Sequence, residues 1–253
     1  MSAAAAPEEN ATSKLELIMG REGLARLAAS TVMVLGVGGV GSNCVEALAR
    51  GGVGRLIVVD HDVVQESNIN RQAIAFRSTL GRKKVDVARA MIADINPQAQ
   101  VEAVDRFVLA EDVPSFLGEY APRADYLVDA IDTISAKLAI AQYADAEGLR
   151  LISSMGAANK LYPECFRVAD VYDTVNCPLC RIMRKEGRKR GIRQLRVLYS
   201  CEQPVDVPVR EGAARRERSN LGTASYVPPI MGQMIAGEVI RDLAGIGNIP
   251  QGL

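Results

Sequence analysis

From residue 31 onward, short apolar runs alternate with segments whose apolar positions recur every three or four residues. The runs "STVMVLGVG" (30–38), "RLIVVD" (55–60) and "DYLVDAID" (125–132) are continuous and rich in Val. That is the pattern of strands covered on both faces of a parallel sheet. "QVEAVD" (100–105) and "LRLISSMG" (149–156) add two shorter strands. The helical periodicity between them predicts helices over 42–50, 78–94 and 135–148, with "EDVPSFLGEY" (111–120) also helical. Asn96-Pro97 stops the second of these. Ser135 and Gly148 offer a start and a stop for the third. This alternation over 31–156 implies right-handed parallel crossovers and an α/β fold, a doubly wound, mostly parallel sheet with helices on both faces. Upstream, "KLELIMGREGLARLAA" (14–29) reads as short helices broken near Gly20 and Gly23. Downstream the pattern changes. "YPECFRVADVYDTVNCPLC" (162–180) reads as a strand and then a loop, and 202–220 as a polar, mobile crossover loop. "VPPIMGQMIAGEVIRDLAG" (227–245) reads as a closing helix with Pro near its start. The organisation expected is a disordered leader (1–13), one domain (14–245, in halves 31–156 and 157–245) and a tail (246–253).

Composition adds little until charge is read locally. The chain has 253 residues, 48% of them hydrophobic, enough for one sizeable core. Lys plus Arg equals Asp plus Glu at 30 each, so net charge names no partner. Residues 181–196, "RIMRKEGRKRGIRQLR", are the exception, with eight cations against one Glu. Such a stretch can neutralise several phosphates, and the alternative is a solvated charged helix face. Only Tyr172 and Tyr199 flank it, which argues against base stacking as its main grip. The start of the chain lacks the plan of a signal peptide, and no apolar run is long enough to span a bilayer. The five Cys form no repeated spacing. A soluble, cytoplasmic protein without a membrane partner is expected.

The chemistry begins at Gly36-x-Gly38-Gly39-x-Gly41, a glycine turn between the first strand and its helix. Glycines there allow a tight turn, close approach of a phosphate, and packing of helix on strand. Asp60 ends the next strand, where a carboxylate accepts hydrogen bonds from a ribose diol, and Asp62 follows it. These features fit NAD as well as ATP, and taken alone they favour NAD. Residues further on shift the balance. "SNINRQ" (67–72) supplies the amides Asn68 and Asn70, and Arg71 with its fork of donors for phosphate oxygens. Lys84 lies near a helix start, where ammonium and helix dipole both favour an anion. Asp132 follows a strand end and suits Mg²⁺ on a triphosphate. A hydride-transfer site does not need Arg, Lys and a metal-binding acid around one polyphosphate. Each residue also has a structural reading: Arg71 as a surface ion pair, Lys84 as a solvated helix residue, Asp132 as a cap.

Together, "GVGGVGS" (36–42), "VVDHD" (58–62), "SNINRQ", Lys84 and "DAIDT" (129–133) resemble the adenylating superfamily of ubiquitin-activating enzymes and their bacterial relatives, whose domain is Rossmann-like. The resemblance covers residues 14–245. It implies ATP over the glycine turn, Asp60 on ribose, Arg71 and Lys84 as the catalytic charge stabilisers on the phosphates, and Asp132 holding Mg²⁺. It also implies an acyl-adenylate and pyrophosphate as products, and a homodimer in which Lys14, Arg21 or Arg26 reaches the partner's ATP. Branches that activate sulfur carriers bear two CxxC pairs for zinc. This chain has only Cys177-Pro-Leu-Cys180 and, with Cys201, offers three thiols, while its single His, His61, falls beside the nucleotide. Zinc within one chain is therefore not expected; a site shared between chains stays open. "PLCRIMRKEGRKRGI" (178–192), "VLYSCEQP" (197–204) and "LGTASYVPPIMG" (221–232) resemble the tRNA threonylcarbamoyladenosine dehydratases, which adenylate a carboxylate on a tRNA adenosine and close a ring with loss of water. That makes tRNA the expected partner and 157–245 the acceptor-binding half. The alternative acceptor is the C-terminal glycine of a ubiquitin-like sulfur carrier, with a sulfur-relay partner. An NAD-dependent oxidoreductase and a non-catalytic scaffold are the further readings. Cys201 reads either as a reactive thiol or as a strand-end residue, and Cys44 and Cys165 read as core.

Overall fold

The computed structural model describes residues 9–207 and 221–247. Most of the expected leader, the crossover loop beyond residue 207 and the tail beyond residue 247 lie outside the described residues. Seven strands form one sheet in the order β3-β2-β1-β4-β5-β7-β6. They are β1 (Thr31–Leu35), β2 (Arg55–Asp60), β3 (Gln100–Asp105), β4 (Tyr126–Asp129), β5 (Leu151–Ser154), β6 (Phe166–Asp170) and β7 (Arg196–Ser200). Every neighbouring pair is parallel except β6 with β7. Among the described residues the α-helices are α1 (Ser13–Ala29), α2 (Gly39–Arg50), α3 (Lys84–Ile95), α4 (Val113–Tyr120), α5 (Ile134–Glu147), α6 (Pro178–Lys189) and α7 (Val227–Ala244). Among the described residues, no helix is long and apolar enough to cross a membrane.

The alternation of strand side chains explains the layering. Val32 and Val34 of β1, with Leu56 and Val58 of β2, join the cluster that includes Val45 and Leu48 of α2, Ala88 and Ile92 of α3, and Ile235 and Val239 of α7. Met33, Leu35, Ile57 and Val59 point the other way, against Phe116 and Leu117 of α4 and Ile140 of α5. Both faces of β1 and β2 are therefore buried, as their unbroken apolar runs require.

Several element boundaries differ from the sequence expectation. The helix expected from Ser78 begins at Lys84, because Arg77–Thr79 forms a 3₁₀ turn and Gly81 takes a positive φ of 77°. The Thr79 hydroxyl donates to the Ile74 carbonyl (2.8 Å), which holds that turn apart from α3. α2 begins at Gly39, three residues before the expected start at 42. Thr133, not Ser135, precedes α5, while Gly148 ends it in the left-handed conformation as expected. Gly20 (φ 72°) kinks α1, but Gly23 stays helical and packs on Ala244. The basic stretch 181–196 is divided between α6, a turn and the start of β7. Cys165 is only half-buried and ends a 3₁₀ turn before β6, so it is not a core strand residue.

α7 closes over α2 at very short range. A methyl group on Gly232 would lie 2.4 Å from the Val40 carbonyl oxygen and 2.9 Å from the Cys44 amide nitrogen. At Gly237, five residues further on, a methyl group meets only the mobile end of Arg241 at 3.4 Å. Beneath the β4–α5 connection lies an ion pair with both side chains fully buried. Lys137 Nζ donates to Asp129 Oδ2 (2.9 Å) and to the Ile131 carbonyl (3.2 Å). Asp129 also accepts from Ser153 Oγ (2.6 Å) and from the Ile131 amide (3.2 Å). The pair thus grips Ile131 by both its backbone groups and fixes the loop that presents Asp132.

Two stability outcomes follow. Gly232→Ala lowers stability by about 1–3 kcal/mol through overpacking, whereas Gly237→Ala raises it by about 0.5–1 kcal/mol through helix propensity; paired thermal melts check both. Lys137→Met strands a buried carboxylate and costs about 3–5 kcal/mol, read as a fall in the denaturation midpoint, with Lys137→Met/Asp129→Leu recovering most of it.

Candidate nucleotide-binding active site

The glycine turn is shaped by two crossings too close for any side chain. Gly36 takes φ 90°, and a Cβ there would sit 2.7 Å from the Ala130 carbonyl oxygen. A Cβ on Gly41 would sit 1.8 Å from the Gly36 carbonyl oxygen. At Gly39 a Cβ would sit 2.9 Å from the Pro228 Cβ. Gly38 differs, because a Cβ there meets nothing within 4 Å. The backbone at Gly38 borders open space, and α2 starts beside it with no side-chain cap. Uncapped first-turn amides and the helix dipole make that space suited to an anion. Asp60 fixes the turn from the next strand: its Oδ2 accepts from the Val37 amide (2.7 Å) and its Oδ1 from the Asp62 amide (2.9 Å).

Around the turn opens a cleft of about 630 Å³. It lies beyond the carboxyl ends of β1, β2, β4 and β5, where open α/β sheets bind ligands. Of the expected site residues, Gly36, Gly38, Gly39, Asp60, Asp62, Asn68, Arg71, Lys84 and Asp132 line it, whereas Gly41 and Asn70 do not. Gly41 serves packing. Asn70 braces its neighbour instead: its Oδ1 accepts from Arg71 Nη1 (2.8 Å) and its Nδ2 donates to the Thr223 carbonyl (3.2 Å). Asn68 is buried, and its Oδ1 accepts from the Gln65 amide (3.0 Å), closing the 3₁₀ turn before Arg71. Arg71 Nη1 also donates to the Ser67 carbonyl (2.9 Å). Its Nε and Nη2 donors have no hydrogen-bond partner among the described residues and remain available to a ligand.

Lys84 is not a solvated helix residue. Its side chain is buried, with Nζ 2.7 Å from Asp62 Oδ2 and 3.8 Å from Asp60 Oδ1. Asp132 is exposed at the cleft, with one long contact to Thr133 Oγ1 (3.5 Å) and no ion pair among the described residues. Asp60, His61 and Asp62 lie close enough together to share a cation. However, Asp60 is committed to two amides and Asp62 to Lys84, so Asp132 is the acid with free oxygens. Its donor chemistry fits a hard cation such as Mg²⁺.

The sequence reading missed several lining residues. Gln72, next to Arg71, is buried, and its Oε1 has no hydrogen-bond partner among the described residues. Arg106 and Phe107 follow β3 at the same sheet end, and the Phe107 ring meets His61 edge-on at 4.4 Å. Phe107 with Val59, Val108 and Ile131 gives the Asp60 end an apolar wall. Lys160 donates to the Glu202 carbonyl, and the Glu202 carboxylate accepts from the Leu161 and Tyr162 amides (3.0 and 3.1 Å), so the far wall is braced. The rule that ligands sit at strand carboxyl ends would have pointed to 106–108 and 154–160.

The remaining candidates sit elsewhere. Arg26 donates to the Ala244 carbonyl (3.0 Å) and caps α7, while Lys14 and Arg21 form exposed pairs with Glu9 and Glu16. Cys201 does not line the cleft, but Cys177 does. Cys44 is fully buried, which pushes its thiol up. Among the described residues, Cys177, Cys180 and Cys201 do not converge as a set of metal ligands.

Comparison with known proteins agrees with this geometry. The chain matches the ThiF family over residues 10–252. It is 42% identical over 240 residues to the tRNA threonylcarbamoyladenosine dehydratase of Bacillus subtilis, spanning 91% of this chain and 93% of that relative. The crystal structure of Escherichia coli tRNA N6-threonylcarbamoyladenosine dehydratase in complex with AMP superposes with TM-score 0.81 at 28% identity, covering 92% of this chain and 93% of that one. The same enzyme in complex with ATP gives TM-score 0.81 at 27% identity. On this match and this fold, the chain belongs to the ThiF family.

Proposed function

We propose that this protein uses ATP to adenylate the carboxylate of the threonylcarbamoyl group on a tRNA adenosine, and that the activated group then cyclises with loss of water. The observation that carries the reading is the pairing of Arg71, with two free donors, and Asp132, with free oxygens, across an open glycine turn. The chemistry is a leaving-group problem. A carboxylate resists attack because oxide would have to leave; joined to AMP, it loses AMP instead. It is already a nucleophile at neutral pH, so adenylation needs no general base. The work left is positioning and charge stabilisation.

The ribose belongs at Asp60 and the base against the wall of Val59, Phe107, Val108 and Ile131. The α-phosphate belongs at Gly38, beside the start of α2. Arg71 and Lys84 offset the charge that builds on phosphorus, and the acids around Lys84 keep its ammonium at the ribose–phosphate end of the cleft. Asp132 holds Mg²⁺, which supplies charge neutralisation on the departing pyrophosphate when bound.

The acceptor approaches from the half that carries α6. Arg181, Lys185 and Arg188 recur on α6 at helical spacing, are exposed, and form no ion pair among the described residues. Of the other cations of the stretch, Arg193 pairs with Asp145 (3.1 Å), Arg196 with Glu238 and Lys189 with Glu186 (2.8 Å), Arg184 donates to the Thr174 carbonyl (2.8 Å), and Arg190 is exposed just past the end of α6. The tRNA backbone is thus met by a narrow stripe on α6 rather than by all eight charges. A sulfur-carrier C-terminus would use the same adenylation chemistry but has no phosphates for this stripe to hold.

Asp132→Ala lowers acceptor-dependent exchange of labelled pyrophosphate into ATP by about 10²–10³-fold; exchange at the wild-type rate removes Asp132 from the reaction. Incubated with tRNA carrying the open modification, the protein converts that nucleoside to its dehydrated form. Charge reversal at Arg181, Lys185 and Arg188 raises the KM for that tRNA by about tenfold or more and leaves ATP affinity unchanged. Adenylation of a carrier protein with no change in the nucleoside would reassign the acceptor.

A further inference from the structure

The geometry points to Cys177 and Cys180 as an oxidisable dithiol in the wall of the nucleotide cleft, a modification site that hydroperoxides convert to a disulfide. Cys177 is the N-cap of α6, Pro178 and Leu179 form its first turn, and Cys180 follows one turn on. The Cys177 sulfur accepts from the Cys180 amide (3.4 Å). The two residues share one buried cluster with Leu138, Met155 and Met183. Cys177 also borders the cleft, beside Gly156, Pro178 and Leu179. A small oxidant entering the cleft therefore meets Cys177 first, with Cys180 directly behind it.

The two thiols differ in character. The hydrogen bond from the Cys180 thiol, helped by the amides of Cys180, Gly156 and Leu179, holds the Cys177 thiol well below the usual range. The same contact and burial push Cys180 up. The thiolate is the nucleophile, so attack starts at Cys177. Its sulfur takes one oxygen of the hydroperoxide as the O–O bond breaks, giving a sulfenic acid and releasing an alcohol, or water in the case of hydrogen peroxide. The Cys180 sulfur then attacks, the S–S bond forms, the S–O bond breaks and water leaves. Two thiols are oxidised and one peroxide is reduced, and the thiol hydrogens end in the released hydroxyl groups.

A second pair provides an internal rival. Cys165 and Cys201 oppose each other where β6 begins and β7 ends, joined by a backbone hydrogen bond (Cys201 amide to Cys165 carbonyl, 3.0 Å). Both are more exposed than Cys177. Desolvation and the nearby Cys201 raise the Cys165 thiol. Exposure favours the Cys165–Cys201 link, whereas thiolate character favours Cys177–Cys180.

The test uses the full-length protein and hydrogen peroxide. The titratable thiol count falls by two per chain, and non-reducing peptide mapping finds Cys177 linked to Cys180. Dithiothreitol restores both thiols. In Cys180→Ser, which keeps a hydroxyl donor beside the Cys177 sulfur, Cys177 stops at the sulfenic acid, which dimedone traps. Linkage of Cys165 to Cys201 with Cys177 and Cys180 still free overturns the assignment, as does slower iodoacetamide labelling of Cys177 than of Cys165 at pH 7. None of these readouts depends on which acceptor the enzyme uses.

Discussion

The site depends on one steric constraint, the contact of backbone on backbone where β1 turns into α2. At Gly41 the helix passes so close to the Gly36 carbonyl that no side chain fits, and Gly36 passes Ala130 in the same way. These contacts bring the α2 start, the end of β2 and the β4–α5 loop within reach of one ligand. Asp60 then anchors the turn through the Val37 amide, and the buried Lys137–Asp129 pair anchors the loop before Asp132. The open glycine turn and the exposed Asp132 are thus held in place by groups that are largely buried and paired, the arrangement a preorganised site requires.

Electrostatics in the cleft rest on which charges are already engaged. Lys84 faces two carboxylates, and Asp60 faces two amides as well as Lys84. By contrast, Arg71 keeps two donors and Asp132 keeps its oxygens. The same sorting applies on α6, where some cations serve the fold and a stripe of three faces solvent. A count of charges along the chain overstates the field a partner meets, because ion pairs in the fold cancel part of it.

Much of the fold was legible because β1, β2 and β4 are buried on both faces along their central residues and therefore apolar there. The early start expected for α3 failed for a local reason: the periodicity before Lys84 belongs to a 3₁₀ turn stabilised by Thr79, which a pattern of apolar positions does not distinguish from helix. That Gly36, Gly38, Gly39, Asp60, Arg71, Lys84 and Asp132 would gather around one cleft was legible because glycines and charges at strand ends are costly without a purpose. Gln72, Phe107 and Lys160 were not, since each belongs to the site only through tertiary neighbours. Asn70 shows the same limit in reverse: its position suggested a ligand contact, and the fold makes it a brace for Arg71. Cys201 drew attention for its place in the chain, yet Cys177 is the cysteine at the cleft.

The order of the last strands has a consequence for how the chain assembles. β7 inserts between β5 and β6, although β6 is made first. During synthesis β6 therefore has no neighbour to join, and β5 presents an open edge until residue 200 has emerged. Parallel pairing over such sequence separations is slow, and an open edge invites pairing with another chain. The interval between translation of β5 and arrival of β7 is when this protein is most exposed to aggregation, and shielding by a chaperone matters most then.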